Sequence, residues 1–209
     1  MNQHPDFRTE PVPGLPEALP KGEKILWQGR PDTWHLAVEA CGLYWVGCYF
    51  VLLVLWRVGV SSGDLAMGEA LLTGVPFILL GVAATAIVWL IAWAQARATV
   101  YTITSARVVM RIGAALPVTF NIPFSKVENV WLDLRSSGTG TIALQVTPVA
   151  RISYMVMWPH IRPWHVRKPE PAIRAIPDAA RIAGLLAQAA ETHASQPVLT
   201  RMCDTVAAE

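Results

Sequence analysis

The sequence predicts a membrane α-helical hairpin followed by a cytosolic α+β domain, an open β-barrel capped by a C-terminal helix. Three observations carry this. Two apolar runs, Leu36–Trp56 and Leu71–Ala94, are each long enough to cross a bilayer. A series of short segments rich in β-branched residues follows from Thr99 onward, and an amphipathic stretch closes the series. Composition agrees. Of 209 residues, 53% are hydrophobic and only 15% charged, against a usual charged share of about 25%.

Residues 1–34 form a proline-rich cytosolic lead without the apolar core of a secretory signal, so the first apolar run is expected to stay as an anchor. Within the lead, EKILWQGRP (23–31) suits a short strand or an interfacial segment. The first run, 36–56, carries one charge, Glu39 near its start, and as a helix would extend about 31 Å. The second, 71–94, has no charge, and Pro76 lies in its first turn, where no helical hydrogen bond is lost. The connector 57–70 is too short for a domain, so residues 35–96 are expected to form a hairpin.

Positive charges orient it. Arg8, Lys21, Lys24 and Arg30 precede the hairpin and Arg97, Arg107 and Arg111 follow it, whereas the connector has Arg57 beside Asp64 and Glu69. The positive-inside rule therefore puts both termini in the cytoplasm and the connector outside. Trp34, Trp56, Trp89 and Trp93 are expected at the membrane interfaces, with Arg97 closing the second helix.

The cytosolic domain is expected over 97–194. Strands are predicted at 99–104, 107–112, 117–122, 126–134, 141–146 and 152–157, separated by turn signals, and a helix at 176–191 with Ile182, Leu185 and Leu186 on one face. Strands followed by one capping helix are the plan of a pleckstrin-homology-like (PH-like) barrel. Residues 195–209 read as a flexible tail.

YTITSARVVMRIG (101–113), IPFSKVENV (122–130) and GTGTIAL (138–144), directly after a membrane hairpin, resemble the bacterial PH-like membrane domain family. The longer stretches GLPEALPKGEKILWQGRPD (14–32) and WPHIRPWHVRKPEPAIRAIPD (158–178) resemble its PuhB-type branch, the photosynthetic-complex assembly proteins of purple bacteria. The likeness covers about residues 14–190. It implies a non-catalytic factor that binds reaction-centre polypeptides in the photosynthetic membrane, with secondary effects on the core light-harvesting complex, and that self-associates as a homodimer.

The candidate partner or membrane contact is WPHIRPWHVRKP (158–169), with Trp158, His160, Arg162, Trp164, His165, Arg167 and Lys168. His160 and His165 are separated by Pro163 and no cysteine is near in sequence, so a metal site lacks ligands and no cofactor is expected. From Arg97 to Arg174 there are ten Lys/Arg against three acids. An anionic membrane surface attracts that excess as well as nucleic acid does, and the nearby hairpin favours the membrane. The loop therefore reads either as a contact for a partner or for lipid, or as tryptophans packing over the barrel.

Several residues carry weaker signals. Glu39 is expected to reach interfacial water, and His35 to hydrogen-bond at headgroup level rather than ligate bacteriochlorophyll. Cys41 and Cys48 share a helix face with Tyr44 but lie about 10 Å apart along a helix, too far for a disulfide. Gly74, Gly81 and Thr85 form a small-residue face for close helix approach. Arg107 and the 139–141 turn set strand register. No nucleophile–base set, paired acids or phosphate loop is present, so no enzyme is expected. Two alternatives to assembly stand beside it: an anionic-lipid-binding membrane organiser without a specific client, and a bacteriochlorophyll delivery factor.

Overall fold

A computed structural model describes residues 12, 14–15, 17–147 and 153–195. The predicted tail from 196, the lead before residue 12 and the start of the predicted strand at 152 lie outside these.

Strand β1 (Ile25–Gly29) leads into helices α1 (Thr33–Glu39), α2 (Leu43–Ser61), α3 (Met67–Leu72) and α4 (Val75–Ala98). The expected helix at 36–56 is thus two helices with different tasks. Asp32 caps α1, its Oδ1 accepting the His35 N–H at 2.9 Å. Gly42 interrupts the chain at a φ of 68°, a left-handed conformation that glycine adopts freely and that no continuous helix contains. Leu36 and Ala37 are fully buried against the rest of the protein, so α1 leaves the apolar run and α2 regains the length at its far end. Trp56 consequently sits inside α2 rather than at its end. The second helix is likewise displaced from 71–94 to 75–98, because 67–72 turns separately before Gly74. Both α2 and the α3–α4 stretch are long and apolar enough to cross a membrane.

Helices α2 and α4 pack as an antiparallel hairpin with glycine at the contacts. A Cβ at Gly81 would sit 2.8 Å from Phe50 Cβ, and one at Gly74 would sit 3.0 Å from Val58 Cγ2. The small-residue face thus serves packing within the chain. Gly81→Val is expected to force the helices apart at a cost of about 1–3 kcal/mol, read as a lower unfolding midpoint in mild detergent. Gly47→Ala, whose Cβ meets nothing within 4 Å, should leave the midpoint unchanged.

Beyond α4 the chain becomes strands β2 (Val100–Thr104), β3 (Arg107–Ile112), β4 (Val118–Pro123), β5 (Val127–Leu134) and β6 (Gly140–Val146). After the short helix α5 (Tyr154–Met157) come β7 (Ala172–Ile176) and helix α6 (Ala179–Ala194). The antiparallel sheets run β1-β2-β3-β4 and β5-β6-β7. Their inner faces share one core: Tyr101, Ile103, Val108, Met110 and Ile122 meet Ile142, Leu144 and Ile173, while Ile182 and Leu186 of α6 close it. Alternate residues of β2, β3 and β6 enter this core and helically spaced residues of α6 close it, while the residues between them on β2, β3 and β7 are buried as well.

Two elements differ from expectation. The predicted strand 152–157 is helical over Tyr154–Met157, where Trp158 N–H and Met157 N–H donate to Tyr154 and Ser153 carbonyls. The strand position is taken by β7, within a proline-flanked stretch read as loop. The capping helix starts later than predicted because Ile176 still belongs to β7, pairing with Gly140.

Candidate functional site

The chain passes directly from α4 into β2, and a buried polar cluster holds this crossing. Thr99 and Tyr101 stand at the start of β2, His160 follows α5, and Arg174 lies in β7. His160 is fully buried. Its Nε2 is 2.9 Å from Thr99 Oγ1 and its Nδ1 is 2.5 Å from Tyr101 Oη. The backbone N–H of Arg174 donates to Tyr101 Oη at 3.3 Å. One arrangement satisfies all three contacts: Tyr101 accepts from Arg174 and donates to Nδ1, and the Nε2–H of a neutral imidazole donates to Thr99. Burial, reinforced by the Arg174 charge, pushes His160 down to about 3, so the ring is uncharged at neutral pH. Burial likewise raises the Tyr101 hydroxyl far above its usual range.

Arg174 extends the cluster to α1. Its Nη1 donates to the Pro159 carbonyl at 3.2 Å and its Nη2 to the Glu39 carbonyl at 3.1 Å. Asp32 N–H donates to the Ala175 carbonyl at 2.7 Å, with Ala175 at a left-handed φ of 53°. Leu36 of α1, Ala96 of α4 and Ala175 of β7 form a small apolar core beside these bonds. Glu39 does not reach toward interfacial water as expected. α1 folds back onto the barrel, and the Glu39 carboxylate lies 3.5 Å from Arg135 Nε. Hairpin and barrel are therefore fastened at several points instead of being joined by a free linker.

The aromatic, basic loop grows from this anchor, and its residues separate by role. His160 is a packing and hydrogen-bonding centre, not a contact residue, because both ring nitrogens are engaged in the interior. Arg162 is also held inward: Nη1 is 2.8 Å from Glu170 Oε2 and the guanidinium lies 5.2 Å from the Trp131 ring centroid. Trp158, joined to Pro159 by a cis peptide, is 39% exposed. Trp164, at the loop tip with a left-handed φ of 67°, is 94% exposed. Arg167 and Lys168 are exposed, and His165 bonds the Pro163 carbonyl at 2.9 Å. Ile161 bridges Pro171 and Arg162 N–H donates to the Glu170 carbonyl, which ties the loop base together.

Of the interfacial residues expected from sequence, Trp34 packs edge-on against Tyr44 with ring centroids 6.2 Å apart, and Arg97 stacks over Trp93 at 5.1 Å. With Trp89 and Trp45 they gather at the barrel end of the hairpin. Arg107 forms a two-pronged pair with Glu23 of the lead, at 2.9 and 3.0 Å. Sequence reading missed Thr99, Tyr101 and Arg174. Tyr101 stood in a quoted motif, but nothing in the sequence pairs it with a histidine 59 positions away.

The match to known families falls on this joined unit. Residues 43–190, from the first residue of α2 into α6, match the bacterial PH domain family. The chain belongs to that family. A relative of this bacterial PH domain protein in Rhodobacter capsulatus, named an uncharacterized 23.7 kDa protein in the puhA 5′ region, is 47% identical over 199 residues. The alignment covers 94% of this chain and 92% of the relative. No solved structure matches it.

Proposed function

We propose that this bacterial PH domain protein is a non-catalytic membrane factor that supports assembly of the photosynthetic reaction centre, and secondarily of the core light-harvesting complex. The hairpin crosses the inner membrane with both ends on the cytoplasmic side and holds client helices laterally, while the loop at Trp158–Lys168 meets their cytoplasmic surfaces. The observation that carries this reading is Trp164. A tryptophan 94% exposed contributes nothing to the barrel core, yet its loop is braced by Arg162–Glu170, the stack on Trp131 and the buried His160. Exposed aromatics beside arginine on a rigid support are the usual anchors of protein interfaces. The 47% identical relative supports the process, since its name ties it to the puhA region, as does the resemblance to PuhB-type assembly proteins. At 1.5 Å per residue α2 spans about 28 Å, close to a hydrocarbon core of about 30 Å.

The test is retention of reaction-centre polypeptides on the tagged full-length protein, extracted in mild detergent from phototrophically grown cells. The expected result is their enrichment over other abundant membrane proteins. Replacing Trp164, Arg167 and Lys168 with alanine should reduce retention by about tenfold while membrane insertion persists. Equal retention by the triple variant removes the loop from the mechanism. Recovery of the wild type without reaction-centre polypeptides removes the assembly role.

A further inference from the structure

We infer that the end of the barrel nearest the hairpin is itself a bilayer-contact face, on which Leu116, Leu134 and Trp34 enter the headgroup region. This rests on the reading of the hairpin as membrane-spanning. It assigns a second surface, separate from the Trp164 loop, whose partner is the lipid bilayer.

Strand direction places the residues. β2 starts one residue after Thr99, the C-cap of α4, and runs away from the hairpin. β3 returns beside it, with Arg111 opposite Val100. The β3–β4 turn, 113–117, therefore reaches back alongside the last turn of α4, level with Arg97 and Trp93. The same alternation brings β5 back toward the hairpin, and the Arg135–Glu39 contact fixes the β5–β6 turn beside α1. α1 lies on this end too, through Asp32–Ala175 and Arg174–Glu39.

Each of these three elements exposes a large apolar side chain, although the β5–β6 turn also exposes Arg135, Ser136 and Ser137. Leu116 is 80% exposed, Leu134 51% and Trp34 50%. The turn GAALP carries no charge. Gly113, at a φ of 100°, lets it double back tightly; a Cβ there would lie 2.2 Å from the Leu116 carbonyl oxygen. At the opposite end the turns carry smaller or polar residues, Ser105 and Ala106 between β2 and β3 and exposed Ser125 and Lys126 between β4 and β5, with Phe124 turned into the core. Ile25 and Leu26 of β1 are less exposed there, at 36% and 41%, than Leu116, Leu134 and Trp34. Leucine and tryptophan tips, with Arg97 and Arg135 beside them, match the headgroup–acyl boundary, which takes apolar side chains and attracts cations. Because the junction does not let the barrel swing freely, these tips are held where the hairpin enters the bilayer.

The experiment uses the full-length chain with Cys41, Cys48 and Cys203 replaced by alanine, reconstituted in nanodiscs of phosphatidylethanolamine and phosphatidylglycerol. A nitroxide is attached at Leu116→Cys, at Leu134→Cys or, as the far-end reference, at Lys126→Cys. All three positions are exposed, so the labels leave the core intact. Electron paramagnetic resonance then compares collisions with oxygen, which concentrates in lipid, and with a water-soluble nickel chelate. The expected result is a several-fold higher oxygen-to-nickel ratio at 116 and 134 than at 126. Water-like ratios at all three positions overturn the inference. So does a result in which 116 and 134 are shielded only after reaction-centre polypeptides are added, which makes this end a protein interface. Client retention is measured separately, so failure here leaves the assembly reading standing.

Discussion

His160→Ala is expected to destabilise the protein by about 3 kcal/mol, because it strands two buried hydroxyls, those of Thr99 and Tyr101, and leaves a cavity between α4 and the loop. For a unit of this size that corresponds to a drop of about 10 °C in the unfolding midpoint, measured by tryptophan fluorescence in mild detergent. The expected functional consequence is larger than that of any surface substitution. The base of the aromatic loop loses its attachment to the end of α4, so client retention should fall although Trp164, Arg167 and Lys168 are all present. An unchanged midpoint would mean that the imidazole is not the support its contacts imply.

The same residue sets a pH dependence. In the folded protein His160 titrates near 3, whereas an unfolded histidine titrates near about 6.5. Below that value the unfolded chain binds a proton that the folded site refuses. The stability associated with this site is therefore complete above about pH 6.5 and is lost progressively as pH falls toward 3. Between pH 8 and pH 5 the loss is about 2 kcal/mol from this residue. Unfolding midpoints over that interval should fall in the wild type, and His160→Gln, which cannot titrate, should flatten the slope. A wild-type slope matched by the variant would assign the acid sensitivity to other groups.

Legibility in the sequence followed the range of the interactions. Strands β2 to β6 could be read because each is a local pattern of β-branched residues between turn residues, and α6 because Ile182, Leu185 and Leu186 recur at helical spacing. The apolar runs gave the existence of both long helices but misplaced their ends. An apolar window cannot see that Gly42 turns left-handed, nor that Leu36 and Ala37 are apolar for the sake of the barrel instead of lipid. β7 was hidden because prolines on both sides of AIRA suggested loop, and its evidence is its pairing with β6. The short helix at Tyr154–Met157 was read as strand because four residues are too few for periodicity to choose between the two.

The candidate loop shows the same division. Its composition drew attention to seven residues, yet the sequence could not sort inward from outward members. Alternation fails in a stretch broken by Pro159, Pro163 and Pro169. His160 is buried because Thr99 and Tyr101 wait for it, and Arg162 turns in because Trp131 and Glu170 receive it. Those partners come from other strands and from the loop base. Trp164 is outward because, among the described residues, no element packs over it.

Arg174→Ala is expected to cost about 2–4 kcal/mol, since its guanidinium joins the Pro159 carbonyl at the loop root to the Glu39 carbonyl at the end of α1, and charged hydrogen bonds of this kind outweigh neutral ones. Arg174→Lys keeps the charge but reaches one carbonyl at a time, so about half of the loss should return. The two variants also part in their pH response. The Arg174 charge is the second cause, after burial, of the depressed His160 value. Removing it should raise that value toward the ordinary range and shrink the acid loss between pH 8 and 5, whereas lysine should preserve most of the slope. Combining His160→Ala with Arg174→Ala then asks whether the junction acts as one unit. If it does, the double variant costs less than the sum of the singles, because either change alone already loosens Pro159 and the loop root. Strict additivity would make the two residues independent supports. The fixed posture of the barrel at the end of the hairpin, on which both the loop contact and the bilayer face depend, would then rest on separate contributions from His160, from Arg174 and from the α1 contacts through Asp32, Leu36 and Glu39.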